Sequence, residues 1–152
     1  MIGRPTTEQI LLDCSRELME DVVPTLTDET TIVRIAMIAQ VVRNAAARCA
    51  HEIGWMLEEL PVIEGYARSV FAAVPNDDLA AALRAVEDGA DALMDLDVVT
   101  DRYTRASNLF AAALETAVSS GQTDLQADGE RLLEARLTRE QQVMAGWSPT
   151  GR

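Results

Sequence analysis

One histidine and four neighbouring side chains form the most polar edge of the longest predicted helix. Steps of three and four residues place them in a row on one side of a helix: Asn44, Arg48, His51, Glu52 and Trp55. Arg48 could hold a carboxylate, and Trp55 could supply stacking area. His51 could pair with Glu52 or act as a general base near neutral pH. An ordinary solvated helix face explains the same row equally directly, so we predict a binding edge at most and no catalytic residue.

Metal chemistry has few ligands to use. The chain has a single histidine, whereas a di-iron bundle needs two Glu-x-x-His elements and a zinc metalloprotease needs two histidines. An acidic segment could attract a divalent cation: Glu87, Asp88, Asp91, Asp95, Asp97 and Asp101. A calcium loop starting at Asp95 would have Thr100 at the glycine position and Ala106 at the glutamate position, so it could neither turn nor close. We predict no metal site and no cofactor, and interpret the segment as a solvated helix edge with N-caps.

The charge of the chain argues against several partners and reactions. The formal net charge is −12 and the pI is near 4.4, so phosphate backbones and anionic lipids would approach a field of their own sign. We predict no nucleic-acid partner and no membrane partner. All 13 basic residues are arginines, which removes the lysine Schiff base, the phosphate-loop lysine and the lysine general base.

The two cysteines do not suggest nucleophiles. Cys14 and Cys49 fall on the apolar stripes of their helices, where a thiol behaves as a small hydrophobe. Arg48 and His51 are close to Cys49 in sequence, but adjacent helix positions point apart. We predict that both thiols are buried and reduced.

Proline residues divide the first half of the chain into predicted helices. Hydrophobic residues make up 48% of the chain and aromatic residues 4%, a composition that favours close helix packing over strands. Thr6 opens the first helix and Pro24 ends it. Thr27 and Asp28 cap the second helix. Because the residue before Pro61 avoids the helical region, we predict that the second helix ends at Leu60 and a short third one follows.

Two further apolar stripes predict a helix pair after the cap residue Asn76. The first consists of Leu79, Leu83, Val86, Ala90 and Leu93, and the second of Val99, Tyr103, Ala106, Phe110, Leu114 and Ala117. A last, more charged helix should run from Thr123 to Ala145. We therefore predict an all-α antiparallel bundle of five to six helices with one long second helix. Residues 1–152 would form a single domain, with 122–152 as a more exposed arm.

The second helix carries apolar residues on two sides. Its main stripe consists of Ile32, Ile35, Ala39, Val42, Ala46, Ile53, Met56 and Leu60. Val33, Met37 and Val41 fall on the opposite side. Leaving these three in water would forgo roughly 1.5 to 3 kcal/mol each, so we predict that a neighbouring helix from this chain, a second copy or a different molecule covers them. A homodimer is the favoured arrangement.

The first 60 residues contain a recognisable opening: Arg4-Pro5-Thr6 with Glu8, Leu11-Leu12, Glu17-Leu18, Val22 to Leu26 and an apolar helix from about Ile32. This opening resembles a family of small uncharacterised bacterial all-helical proteins, often encoded beside acyl-CoA dehydrogenases and phosphotransferase-like kinases. The resemblance implies an accessory subunit or protein partner of an enzyme in acyl-chain catabolism. It implies no functional residue.

Two functions are therefore open. The first is a non-catalytic, self-associating helical interaction protein. The second is a small-ligand-binding protein or enzyme with a pocket between helices, lined by Met56, Tyr66, Phe71, Tyr103 and Phe110 and fringed by Arg48 and His51. Met1 to Gln9 lacks the apolar core of an export signal, and we expect a cytoplasmic protein.

Overall fold

The computed structural model describes residues 4–87 and 95–144, and side chains as far as residue 141. Five α-helices account for most of these residues, and they contain no strand. The helices are α1 (Thr7–Glu17), α2 (Glu29–Ala73), α3 (Asp77–Glu87), α4 (Leu96–Ser119) and α5 (Thr123–Met144). The predicted all-α bundle with one long second helix is confirmed.

Local capping signals fix the starts of the first two helices. The Thr6 hydroxyl accepts a hydrogen bond from the Gln9 amide at 3.2 Å, and the Gln9 side chain accepts one from the Thr6 amide at 2.9 Å. The Asp28 carboxylate accepts hydrogen bonds from the hydroxyl of Thr31 at 2.5 Å and its amide at 2.9 Å, which together lower the pKa of Asp28. Between these helices the chain forms one π-helical turn and a 3₁₀ turn containing Pro24.

The predicted break at Pro61 is wrong, because α2 continues through it to Ala73. Proline lacks the N–H that would bond to the carbonyl four residues earlier and clashes with it, at a cost of about 3 kcal/mol or more. Leu60, Ile63 and Val70 are all fully buried on one side of the helix. Each contributes roughly 1.5 to 3 kcal/mol, so keeping this face continuous outweighs the lost hydrogen bond.

The chain divides into two compact units. One, the bundle unit, is Ile53–Leu137, and the other, the N-terminal unit, combines Met1–Glu52 with Thr138–Arg152. The single domain over 1–152, with its arm at 122–152, stays a prediction.

The bundle unit has a continuous apolar core. The predicted stripe positions Leu79, Leu83 and Val86 of α3 are buried in it, as are Ala106, Phe110 and Ala117 of α4. Ala90 and Leu93 lie outside the described residues. The Asn76 side chain accepts from the Leu79 amide at 2.6 Å and donates to the Thr116 hydroxyl at 3.3 Å. Since the start of α3 thus lies beside the end of α4, these two helices are antiparallel, as predicted.

The N-terminal unit joins α1 to the first part of α2 through small and polar residues. Ser15 is the buried residue of α1, and its hydroxyl donates to the Ala39 carbonyl at 3.0 Å. The prediction of buried cysteines is wrong, because Cys14 and Cys49 are both exposed and free. Close approach of the helices at Ser15 and Ala39 puts the short serine in the contact and turns the preceding residue, Cys14, outward.

Candidate functional site

Four large apolar side chains on α2 stand exposed in the N-terminal unit. Their exposed fractions are 49% for Val33, 57% for Met37, 54% for Ile38 and 66% for Val41. We call these four residues the α2 stripe. Ala39 and Ala46, on the other side of the helix, are fully buried. One flank of α2 therefore packs within the chain, and the predicted second flank is available to another molecule.

Ile38 was missing from the predicted interface. It neighbours Met37 in sequence and so lies about 100° around the helix from it, outside the strict row of every fourth residue. Exposure at both positions makes the apolar surface broader than that row indicates.

A polar seam lies between α1 and α2 at the edge of this surface. Arg43 donates to the Ser15 hydroxyl at 2.9 Å and to the Gln40 side-chain oxygen at 2.6 Å, and Gln40 donates to Asn44 at 3.0 Å. Asn44, a predicted binding-edge residue, is thus bonded within α2 to Gln40, which in turn accepts from Arg43. The periodicity of the sequence carried no signal for Ser15, Gln40 or Arg43.

The other members of the predicted binding edge fall into two groups. Arg48 pairs with Glu52 at 3.3 Å across one helical turn, and His51 is exposed in the same unit. Trp55 belongs to the bundle unit, where it is half-buried. An exposed ion pair of this kind contributes about 0.3 to 0.5 kcal/mol.

The charge around the α2 stripe differs from that of the whole chain. From Glu29 to Glu52, α2 carries three arginines and two glutamates, a net charge of +1, whereas the chain as a whole carries −12. Most of the acidic charge therefore lies outside this segment of α2, so the segment itself adds little to the repulsion between two copies that meet along it.

A partly buried polar network joins three helices of the bundle unit. The Tyr103 hydroxyl donates to the Glu59 carboxylate at 2.5 Å, and Arg136 lies 3.3 Å from the same carboxylate oxygen. Arg136 also donates to the Tyr103 hydroxyl at 2.9 Å and to Ser107 at 3.1 Å. Its guanidinium stands 5.4 Å from the ring centroid of Tyr103 and 5.6 Å from that of Phe110. Burial, and then the Glu59 carboxylate, raise the pKa of Tyr103, while Arg136 opposes the shift.

A second set of ion pairs lies along the same helices. Glu64 pairs with Arg102 at 3.0 Å and with Arg68 at 3.2 Å, and Arg68 reaches Glu87 on α3 at 2.8 Å. These matched charges tie α2 to α3 and α4. We assign both sets a role in holding the helices in register, because opposite charges already meet within each set.

The bundle unit also has an open groove of about 440 Å³ between α2 and α5. Its lining is Val62, Tyr66, Ser69, Asp128, Arg131, Leu132 and Ala135. Of the aromatic and methionine residues predicted to line a pocket, only Tyr66 takes part. Phe110 packs against Tyr66 in the core, with ring centroids 5.6 Å apart.

The Tyr66 hydroxyl is buried and has no hydrogen-bond partner among the described residues. Burial, and then the charge of Asp128, raise the pKa of Tyr66. An unpaired buried hydroxyl costs roughly 1 to 3 kcal/mol, so this position is a local weak point of the core.

Within residues 4–87 and 95–144, no group of three or more His, Cys, Asp or Glu side chains could hold a metal ion. Asp95 caps α4 by accepting from the Asp97 amide at 3.0 Å, and Glu87 pairs with Arg68 at 2.8 Å. Asp88 and Asp91 lie outside the described residues. No described helix is long and apolar enough to span a bilayer.

Comparisons of the chain with protein-family models, curated proteins and solved structures found no match. The family resemblance of the first 60 residues therefore stays a prediction.

Proposed function

We propose that the protein is a non-catalytic helical interaction protein that self-associates through the α2 stripe. The observation that carries this proposal is the exposure of Val33, Met37, Ile38 and Val41, each about half in solvent. Full burial of such a side chain is worth roughly 1.5 to 3 kcal/mol. Because half of each side chain is already buried, covering the exposed half would add about 1 kcal/mol per side chain. The eight side chains of two copies would gain about 6 to 12 kcal/mol, within the range of association costs, about 4 to 15 kcal/mol.

A second copy suits this surface better than a different acidic or basic partner. In a dimer of identical chains the same apolar residues enter the interface twice, as twofold symmetry requires. The local net charge of +1 between Glu29 and Glu52 keeps the repulsion between two acidic chains small at the contact. Added salt should tighten the dimer further, because it screens the remaining acidic surfaces.

Light scattering and sedimentation of the purified chain over a range of concentrations test the proposal. We expect a dimer that becomes a monomer with Met37→Glu, because a carboxylate would have to be buried in the apolar contact. Val118→Glu is the matched control: Val118 is 51% exposed on α4 and outside the stripe, so this variant should remain dimeric. A wild-type chain that is monomeric at every concentration would contradict the proposal. Circular dichroism checks that each variant is helical.

The accessory-subunit role belongs to the same proposal and is supported by the family resemblance alone. A dimer with an acidic outer surface would present that surface to a partner enzyme. Affinity capture of an acyl-chain-degrading enzyme by wild type and by Met37→Glu would show whether the partner needs the dimer.

A small-ligand-binding function is a second candidate, favoured by the groove between α2 and α5. Its volume of about 440 Å³ lies within the range of small-molecule sites, and Val62 at its rim is 53% exposed. Native mass spectrometry of the freshly purified protein would detect a retained small molecule. Val62→Trp should abolish that signal by filling the groove, whereas Val118→Trp should leave it unchanged.

A further inference from the structure

We propose that the two copies run antiparallel along α2, so that Arg34 of one copy lies beside the partner's Glu52. This inference rests on the self-association proposed above and adds the orientation and register of the second copy. It is carried by the order of the charges along the exposed side of α2.

Charged residues share the exposed side of α2, Arg34 beside the α2 stripe and Arg48 and Glu52 beyond it. Arg34, Val41 and Arg48 are spaced seven residues apart, and Glu52 follows four residues later, so all four lie on the same side of the helix. Arg34 is exposed, and the side chains of Arg48 and Glu52 are 54% and 35% exposed. The exposed side of α2 is thus basic at Arg34 and ends with Arg48 and Glu52.

Parallel copies in register would set like charges together. Arg34 would face the partner's Arg34. In the same way Arg48 would face the partner's Arg48, and Glu52 the partner's Glu52. Like charges facing each other across a helix pair are destabilising. In a parallel dimer, repulsion between these charges would therefore cancel part of the free energy of association that the apolar residues contribute.

Antiparallel copies replace these repulsions with attractions. If Arg34 lies opposite the partner's Glu52, twofold symmetry produces this pair twice. Moving toward the C-terminus of one helix is then moving toward the N-terminus of the other. The same register therefore sets Val41 opposite the partner's Ala45 and Met37 opposite the partner's Cys49. Ala45 and Cys49 are both exposed and small enough to receive the larger side chains.

This pairing also gives the exposed thiol a place in the apolar contact. Cys49 carries no disulfide, and a free thiol packs as a small hydrophobe. Glu52 would lie between Arg48 of its own copy, 3.3 Å away, and the partner's Arg34.

Site-directed cross-linking tests the orientation in the full chain. Both native cysteines are first changed, Cys14→Ser and Cys49→Ser, and single variants Arg34→Cys and Glu52→Cys are made in that background. One variant carries an affinity tag, the two are mixed, and a short bismaleimide is added. We expect the mixed product of the two variants. Each variant alone should give no self-linked product, because residues 34 in antiparallel copies would be about 27 Å apart along the helix axis.

The outcomes separate the two proposals. Self-linked products from Arg34→Cys alone would show parallel copies and overturn this inference while leaving self-association intact. A dimer in light scattering without the mixed product would overturn it as well. A monomeric chain would overturn both this inference and the proposed function.

Charge reversal is an independent readout that needs no cysteine. Arg34→Glu should weaken the dimer roughly 5- to 30-fold, because two attractions become two repulsions. Adding Glu52→Arg to the same chain should restore the dissociation constant to within about threefold of wild type. In a parallel dimer Arg34→Glu would exchange one like-charged pair for another, so an unchanged dissociation constant would contradict the antiparallel arrangement.

Discussion

Gly129 packs closely against Tyr66 and Leu114 of the bundle unit, and its replacement by alanine tests how tightly α5 packs there. A Cβ atom added there would lie 2.5 Å from the Tyr66 hydroxyl and 2.7 Å from a methyl carbon of Leu114. Tyr66 is only 9% exposed, so its ring has little room to move. Gly129→Ala should therefore force α5 outward or push the tyrosine from its position.

Two effects of this substitution oppose each other. Alanine is favoured over glycine within a helix by about 1 kcal/mol. Inserting a methyl group into a packed contact costs about 1 to 3 kcal/mol. We expect a net loss of about 0 to 2 kcal/mol in the free energy of unfolding. Gly54→Ala is the control, because an added Cβ at Gly54 meets nothing within 4 Å. That variant should gain about 0.4 to 1 kcal/mol.

Urea unfolding followed by circular dichroism measures both variants. The difference between Gly129→Ala and Gly54→Ala isolates the packing cost, because both replace a helical glycine. Tyr66→Phe removes the hydroxyl, which is the nearest clashing atom and a buried polar atom without a partner, so it should recover part of the loss in the double variant. If Gly129→Ala were as stabilising as Gly54→Ala, the close packing of α5 against Tyr66 and Leu114 would be refuted.

Three further predictions concern other elements. Pro61→Ala should raise the free energy of unfolding by as much as about 3 kcal/mol, because it restores a hydrogen bond inside α2; urea unfolding would show it, and no gain would mean that the helix has already relaxed around the ring. Ser15→Ala removes the acceptor of Arg43 and a donor to Ala39 and should cost about 1 to 3 kcal/mol in the same assay, whereas an unchanged midpoint would argue against the seam. Tyr66 and Tyr103 have raised pKa values, so absorbance at about 295 nm should show both phenols ionising above their ordinary value of about 10. Since these folded-state pKa values lie above the unfolded value, their contribution to stability is present below pH 10 and is lost as the pH rises through the folded pKa values; ionisation near pH 10 in the folded protein would contradict this.

Local signals in the sequence predicted most of the helix framework. The capping box at Thr6 and Gln9 and the caps at Asp28 and Asn76 all formed as expected. Such contacts involve residues three positions apart, so they depend little on the rest of the fold. Pro61 failed as a helix stop because its effect competes with apolar burial farther along α2, which a local rule does not weigh.

The partly buried polar network could not be predicted from periodicity. Glu59, Tyr103 and Arg136 come from three different helices and meet only after those helices pack. A pattern search assigns charged residues to the solvated face, since charged groups are rarely buried without a partner. The prediction for Cys14 and Cys49 was wrong in the opposite direction. Because both thiols lie on apolar rows, they were expected to be buried, and both are exposed.

The α2 stripe and the charges around it make different contributions to association. Val33, Met37, Ile38 and Val41 offer area but no polar atoms, so they can supply affinity without fixing an orientation. Arg34 and Glu52 are exposed enough that each pair is worth about 0.2 to 1 kcal/mol, too little to hold two acidic chains together. The difference between attraction and repulsion at both ends is nevertheless large enough to select one orientation. Replacing Met37 by glutamate should therefore abolish the dimer, whereas reversing Arg34 should weaken it and remove its preference for antiparallel copies.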